Sequence, residues 1–492
     1  MSDREVDVRR ARLDSLRKSG IDPFPALVEK FESISKVIEM HDGKSIDELE
    51  KEAPETAVVG RVRAKRSFGK LLFLEVVESG TRIQLSARKG SAPQEVFEAL
   101  KAIDVGDFIR VGGQVWRTKK GELTIAAKSQ TLLSKSLRSL PEKWHGLSDV
   151  EARIRQRYLD LIANEGARRV AVLRSGIVSS IRSFLDSRGF LEVETPVLQP
   201  IYGGAAAKPF TTHHNTLDQE LYLRISDELY LKRLVVGGLD RVYEIGHNFR
   251  NEGISRKHNP EFTLVECYQA YADYSDMMEV AQGLVQDAAE KTLGRLLITY
   301  QGEEIDLSGE WPRVTMRDAI LRATGVDVLS AENLESLRES TREASLPDLT
   351  APTWAKGVDE LFSREVEPHL VQPTFITDYP VALSPLAKRS SEDERLVERF
   401  ELFLGGFELG NAFSELNDPE DQRRRFEEQV NDAVSGDEEA HPMDEDFLIA
   451  LEHGMPPTGG LGIGVDRLVM ILADASNLRE VILFPHLRPE TS

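Results

Sequence analysis

Cysteine is almost absent from this 492-residue chain: Cys267 stands alone, so no intramolecular disulfide can form and no multi-cysteine metal cluster can be built. Any metal would have to be held mainly by oxygen ligands. Long apolar runs are missing too, which excludes a helical membrane protein. The N-terminal stretch MSDREVDVRRARLDSLRKSG mixes both charges on an amphipathic helix and lacks the apolar segment of a secretory signal, so the expected location is the cytoplasm. Positive charge is scarce: 62 Lys and Arg face 83 Asp and Glu, a net charge of -21. That total argues against nucleic acid as a partner, but docking depends on local charge. Gly60 to Arg138 carries 16 Lys and Arg against 7 Asp and Glu, a surplus of 9 that leaves -30 for the rest. A basic segment is therefore set in an acidic chain, and it reads either as a solvated face or as a phosphate-binding surface.

The length exceeds what one hydrophobic core supports and predicts two or three domains. No internal repeat is present, which excludes a solenoid. Between Thr56 and Thr131, the segments AVVGRVRAKR, KLLFLEVV, TRIQLSAR, DFIRVGGQVWRT and GELTIAAKS read as five strands, with one helix at PQEVFEALKAI. That order suits an OB-fold barrel, which commonly binds single-stranded nucleic acid. Phe73 is its candidate stacking ring, although the alternation of KLLFLEVV equally allows a core position. The expected organisation is an N-terminal helix and barrel over 1–140, a linker over 141–164, and a second domain over 165–492. In that second domain, helical periods from about 275 to 370 read as an insertion. The fold class is α+β.

Three segments of the second domain carry the densest patterns. GFLEVETPVLQP with Pro196, RVYEIGHNFRNEGISRKHNPEFTLVECYQAY, and GGLGIGVDRLVMIL resemble motifs 1, 2 and 3 of class II aminoacyl-tRNA synthetases. With LYLRISDELYLKRLVVGG and FELGNAFSELND, they resemble the lysine-specific bacterial members in particular, over nearly the whole chain including PEKWHGL. The resemblance implies an antiparallel-sheet catalytic domain assembled as a homodimer through motif 1. It also implies L-lysine, ATP and tRNA(Lys) as substrates, with Mg²⁺ as cofactor.

The residues agree with that chemistry. Arg250 and Glu252, two apart in NFRNEG, share a side if the strand runs on; alone, such a pair is more often a surface ion pair. Lysine activation needs its carboxylate to attack the α-phosphorus, and an arginine fork can bridge both oxyanions, so Arg250 is the candidate bridge. By resemblance, Glu252 holds the adenine side of the loop, His258 meets the triphosphate, and Phe262 and Arg467 sandwich the purine, a geometry that stacking and cation-π attraction favour. Arg250 and Arg467 are the expected catalytic residues. Gly462 and Gly464 let the backbone approach a ligand. Glu401 and Glu408, seven apart around Gly405 and Gly406, match magnesium ligands, and a glycine bulge would bring them to one pocket. Glu266, Tyr268 and Glu415 match the receptors of the lysine side-chain ammonium, and Glu228 the position beside the α-amino group, near Gly204. Asn411 and Arg250 would hold the carboxylate, and Phe413 the aliphatic stem. On the barrel, the resemblance assigns Phe73, Gln84 and Glu122 to a U-rich anticodon, read by stacking and base-edge hydrogen bonds. Two positions depart from the pattern: His247, where another basic residue is expected, and Asp227, where proline is common. The alternatives are a catalytically silent RNA-binding paralogue and an enzyme that lysylates a protein.

Overall fold

The computed structural model describes residues 3–140, 149–434 and 442–489. It divides into two compact units, Met1–Arg168 and Arg169–Ser492. Among the described residues, no helix is long and apolar enough to cross a membrane.

In the first unit, strands β1 (Glu55–Phe68), β2 (Leu71–Glu78), β3 (Thr81–Arg88), β4 (Phe108–Arg117) and β5 (Leu123–Ser134) close a barrel in the order β1-β2-β3-β5-β4, sealed where β1 pairs with β4. Each strand alternates, so Leu72, Leu74 and Val76 of β2 and Ile83 and Leu85 of β3 point inward. Phe73, one residue out of phase, takes no part in this core. The helix Gln94–Ala102 buries Val96, Phe97 and Leu100 against the same cluster. Of the expected linker, residues 141–148 lie outside the described residues. The remainder forms two short helices, Val150–Arg155 and Arg157–Ala163. Buried Asp160 accepts from Arg153 at 2.9 Å and Arg157 at 2.8 Å, and Arg63 of β1 donates to the Ala163 carbonyl, which draws the helices into the first unit.

The second unit is built on an eight-stranded sheet. From one edge its strands are Arg313–Thr315, Thr374–Pro380, Leu396–Leu404, Phe407–Ser414, Thr458–Gly464, Glu261–Ala270, Arg241–Phe249 and Leu191–Glu192. Pairing is antiparallel throughout except at the two outermost pairs. One face, carrying Val265, Cys267, Phe400, Leu402, Ala412 and Leu461, packs on the helices Glu165–Ser187, Tyr274–Leu293 and Val465–Leu472 to form the main core. The other face carries the polar residues that the motifs singled out. In the motif 1 segment only Leu191–Glu192 and Leu198–Gln199 pair as strand, in different sheets, with Pro196 and its missing N–H between them.

The segment expected as one helical insertion is three different things. The helix Tyr274–Leu293 belongs to the main core through Met277, Ala281, Leu284 and Ala288. Then comes a hairpin, Leu297–Tyr300 with Glu303–Asp306, and the strand Arg313–Thr315 that joins the sheet. Only the helices Met316–Thr324, Leu334–Glu343 and Trp354–Glu365 form a separate layer, where Ile320, Leu337, Val358 and Phe362 pack with Ile376 and Phe403 of the sheet. Helical period identifies a helix but not the layer it packs into.

Because Leu100 is fully buried against the barrel interior, Leu100→Ala should cost about 3 kcal/mol. A urea melt followed by tryptophan fluorescence measures this, and an unshifted midpoint would remove the helix from the barrel core.

Candidate active site

The polar face of the sheet is organised in rows across strands. Glu266, Gly462, Asn411 and Glu401 stand opposite one another on four consecutive strands, and Tyr268, Gly460, Phe413 and Arg399 form the adjacent row. The central strand of both rows supplies glycine each time, so side chains from the flanking strands rise around a floor that has none. A cavity of about 350 Å³ stands on this floor, lined by these residues together with Gly204, Glu228, Arg250, Glu252, His258, Phe262, Glu408, Gly464 and Arg467. Every expected catalytic, nucleotide, lysine and metal position lines it except Glu415, whose Oε1 fills the space that a Cβ on Gly460 would take.

Glu408 reaches this face through a bulge. Leu402 pairs with Gly410 but Phe403 pairs with Glu408, so Leu409 is an extra residue in its strand. In an unbroken register Glu408 would oppose Leu404, on the face packed into the main core. The expected glycine bulge is therefore a leucine bulge. Gly405 and Gly406, with φ of 65° and 79°, form the two-residue turn of the hairpin instead.

On one side of the cavity, the strand stops at Phe249 and Arg250 begins a loop, so the expected strand alternation does not orient Arg250 and Glu252. Glu252 lies exposed at the rim, while Arg250 sits inward with its guanidinium 5.1 Å from the Phe262 ring centroid. Its Nε is buried and donates to no group among the described residues. The loop closes on itself as Ser255 N donates to the His258 carbonyl and Ser255 Oγ meets His258 Nδ1 at 2.9 Å. Burial, then repulsion from Arg467, pushes the His258 pKa down, so its imidazole is neutral near pH 7. Arg467 reaches the Glu408 backbone carbonyl and its carboxylate rather than lying over Phe262.

The other side is a pocket of buried carboxyl groups. Asp227, Glu228, Glu244, Glu266 and Glu415 are all buried, against two cations, Arg224 and Lys232. Lys232 is bonded by Glu228 at 2.6 Å and by Glu415, while Arg224 pairs with Asp227 at 3.0 Å and Glu244 at 2.6 Å. Glu266 accepts from Ser226 Oγ at 2.9 Å through one oxygen, and its other oxygen has no hydrogen-bond partner among the described residues. Burial drives Asp227 up to about 7 and Glu415 up to about 8, and lifts Glu266, which also faces Asp227 and Glu228, well above the ordinary range. Lys232 holds its proton because two carboxylates face it. The pocket therefore holds more carboxyl groups than its own cations neutralise. Gly204, at φ +87°, lies against Ser226 and Glu228 so closely that a Cβ there would fall 2.8 Å from Ser226 Oγ.

Motif reading missed Lys232, Ser226, Arg224 and Arg399. Lys232 left a local trace as residue i+4 from Glu228 on the helix Glu228–Val236, and Arg399 as residue i−2 from Glu401 on one strand.

On the barrel, Phe73 and Gln84 sit on the outer face, with Phe73 opposite Arg66 and Ser86, and Gln84 bonded to Thr124 Oγ1 at 3.0 Å. Trp116 joins that face by donating to Ser86 Oγ at 3.2 Å, an aromatic not singled out from sequence. Glu122 is exposed in the β4–β5 turn.

Comparison with known proteins agrees with this arrangement. Residues 56–133 match the OB-fold nucleic acid binding domain, and residues 149–488 match the model of tRNA synthetases class II (D, K and N). Such a barrel and such a site define a class II synthetase. Among full-length relatives, the chain is 52% identical over 483 residues to a lysine–tRNA ligase of Moorella thermoacetica, covering 98% of this chain and 97% of that one. It is 52% identical over 483 residues to a lysine–tRNA ligase of Roseiflexus castenholzii, covering 98% of each. With a lysine–tRNA ligase of Bacillus subtilis it shares 50% over 484 residues, covering 98% of this chain and 97% of the relative. The chain belongs to the bacterial-type lysine–tRNA ligase family.

The glycine floor is testable. A Cβ on Gly462 would meet nothing nearer than Glu266 Cγ at 3.7 Å, whereas one on Gly460 would lie 1.9 Å from Glu415 Oε1. Gly462→Val should therefore fold with little change in melting temperature and lose small-ligand binding, while Gly460→Ala should destabilise the protein itself. Thermal melts with and without ligand measure both, and equal melting temperatures for the two variants would contradict the geometry.

Proposed function

We propose that this chain activates L-lysine with ATP to lysyl-adenylate and transfers the lysyl group to the 3′ end of tRNA(Lys), working in the cytoplasm as a homodimer. The observation that carries the reading is the surplus of buried carboxyl groups beside an arginine with an unpartnered Nε: such a pocket takes a molecule with an ammonium group at one end and a carboxylate at the other. Glu266, Tyr268 and Glu415 receive the side-chain ammonium, Phe413 flanks the stem, and Glu228 with the Gly204 backbone holds the α-amino group. Asn411 and Arg250 hold the carboxylate. Aspartate or asparagine would bring no side-chain cation to this pocket.

ATP lies across Phe262, with Arg467 swinging from Glu408 to cover the other face of adenine, Glu252 on the adenine side and His258 donating to the triphosphate, over the open backbone at Gly464. A lysine carboxylate oxygen attacks the α-phosphorus, the bond to the β-phosphate oxygen breaks, and pyrophosphate leaves. In the second step the terminal adenosine hydroxyl attacks the lysyl carbonyl and AMP leaves. Arg250 bridges both oxyanions, and no enzyme nucleophile is needed: orientation and preorganised charge carry the rate.

Glu401 and Glu408 fit Mg²⁺. They are hard oxygen donors that line the same cavity, and a cation held there would be completed by phosphate oxygens and water. When bound it would neutralise charge on the triphosphate. The anticodon is read on the barrel by Phe73, Gln84 and Glu122, with Trp116 beside them. Dimerisation is supported by Leu191, Val197, Leu198 and Ile201, exposed apolar residues of the motif 1 segment and the position just after it.

A silent RNA-binding paralogue gains no support from a site in which Arg250, Glu401, Glu408 and Arg467 line one cavity, and an enzyme acting on a protein acceptor has no use for the barrel. The test is ATP–pyrophosphate exchange with each amino acid in turn. Exchange with lysine alone is expected; exchange with none would overturn the reading.

The raised carboxyls give a pH signature. In the free protein they keep protons that an incoming ammonium displaces, so lysine binding should release protons and tighten as pH rises from 5 to about 8. Because their folded pKa values exceed the unfolded ones, the unliganded protein should lose stability as pH rises from about 4 through about 8, and lysine should restore it. Calorimetry at pH 6.5 in two buffers of different ionisation enthalpy reads the proton release directly; identical heats would contradict it.

A further inference from the structure

Arg399 belongs to neither list of expected residues, yet it touches both halves of the site. It lies on the strand Leu396–Leu404, two residues before Glu401 and opposite Phe413, with only 13% of its side chain exposed. Nη2 donates to Glu401 Oε1 at 2.6 Å, and Nε donates to Asn411 Oδ1 at 3.0 Å. Nη1 is anchored from behind by the Leu383 carbonyl at 2.9 Å and Ser384 Oγ at 2.8 Å. The guanidinium stacks on Tyr379 at 4.5 Å, and Tyr379 in turn donates to Glu401 Oε2 at 2.9 Å. Four of the five guanidinium N–H groups are therefore committed, and the fork is fixed by packing as well as by hydrogen bonds.

We infer that Arg399 is a positioning residue that sets the amide of Asn411 and the carboxylate of Glu401 together, and so ties carboxylate recognition to the wall that would hold the cation. This rests on the proposed function. Arginine carries only donors, so the Asn411 atom facing it is the carbonyl oxygen, and the NH₂ group is left to face the cavity. That is the orientation a substrate carboxylate requires; a flipped amide would present oxygen to oxygen. The same fork occupies one oxygen of Glu401 while Tyr379 occupies the other, fixing the plane of the carboxylate before any cation arrives. Lysine at position 399 would keep the charge but has no planar fork to serve two acceptors 10 residues apart in sequence and adjacent in the sheet.

The test separates positioning from general structural support. Lysine affinity is measured by calorimetry without nucleotide or metal, for Arg399→Lys in the native and in the Asn411→Ala background. Loss of one oriented hydrogen bond to a charged group should raise the lysine Kd about tenfold in the native background and less than about twofold in the Asn411→Ala background. Tyr379→Phe should leave the lysine Kd where it was. Manganese binding in the presence of α,β-methylene ATP, followed by electron paramagnetic resonance, should weaken in both Arg399→Lys and Tyr379→Phe. An unchanged lysine Kd in Arg399→Lys, or an equal rise in both backgrounds, would overturn the inference. If Arg399→Lys fails to fold, Ser384→Ala loosens the anchor of the fork alone and should shift the lysine Kd in the same direction, again only where Asn411 is present; no shift would overturn the inference. A native protein that binds no lysine would instead refute the proposed function.

Discussion

Burying carboxyl groups without enough cations is the constraint around which the second unit is built. Isolated, such groups would cost several kcal/mol each in desolvation. Lys232 and Arg224 offset part of that cost, and they divide the work. Lys232 joins Glu228 of its own helix to Glu415 at the end of the Phe407–Ser414 hairpin strand. Arg224 joins Asp227 to Glu244 on the neighbouring strand, and Glu244 in turn holds Thr195 of the motif 1 segment through its N–H and hydroxyl. The helix Glu228–Val236 is thus clamped between sheet and loop by charge at both of its approaches. What remains is a deficit of positive charge facing the cavity, and the fold tolerates it because the carboxyls can keep protons until a ligand replaces them.

The glycine strand is the second half of the same design. A sheet whose central strand bore side chains on this face would fill the space into which Glu266, Tyr268, Asn411 and Phe413 project. Omitting those side chains leaves the flanking residues to form walls. The opposite face compensates: Leu461 and Ile463 on the same strand are buried in the main core. One strand therefore holds the sheet together from beneath while staying absent from above.

Much of this was legible in the sequence, and the boundary is physical. Alternation set the barrel strands and told core from surface once the phase was known, which is why Phe73 stayed ambiguous until Leu72 and Leu74 were seen to point inward. The motif residues were legible because contiguous segments carry them. Arg399, Ser226 and Arg224 were not, since Asn411, Glu266 and Glu244, the partners that bring them into the site, lie on other strands that no local spacing reveals. The spacing points to Gly405 and Gly406 for a bulge that falls at Leu409, because glycine advertises backbone freedom and leucine does not. The helical insertion was overdrawn for a related reason: Tyr274–Leu293 has the same period as the helices after it, but its apolar residues belong to a different layer.

The bulge also sets a rule for how this hairpin can change over time. Side chains alternate with a period of two, so the hairpin behaves like a reading frame in which Leu409 is the inserted letter. Losing one residue between Gly410 and Leu402 would either remove the bulge, leaving Glu408 opposite Phe403 but without the local bend and twist that aim its carboxylate, or shorten the turn and break the pairing. Substitutions along these strands are negotiable one side chain at a time. Length is not, and descendants of this chain should carry insertions and deletions almost anywhere on the surface before they carry one here.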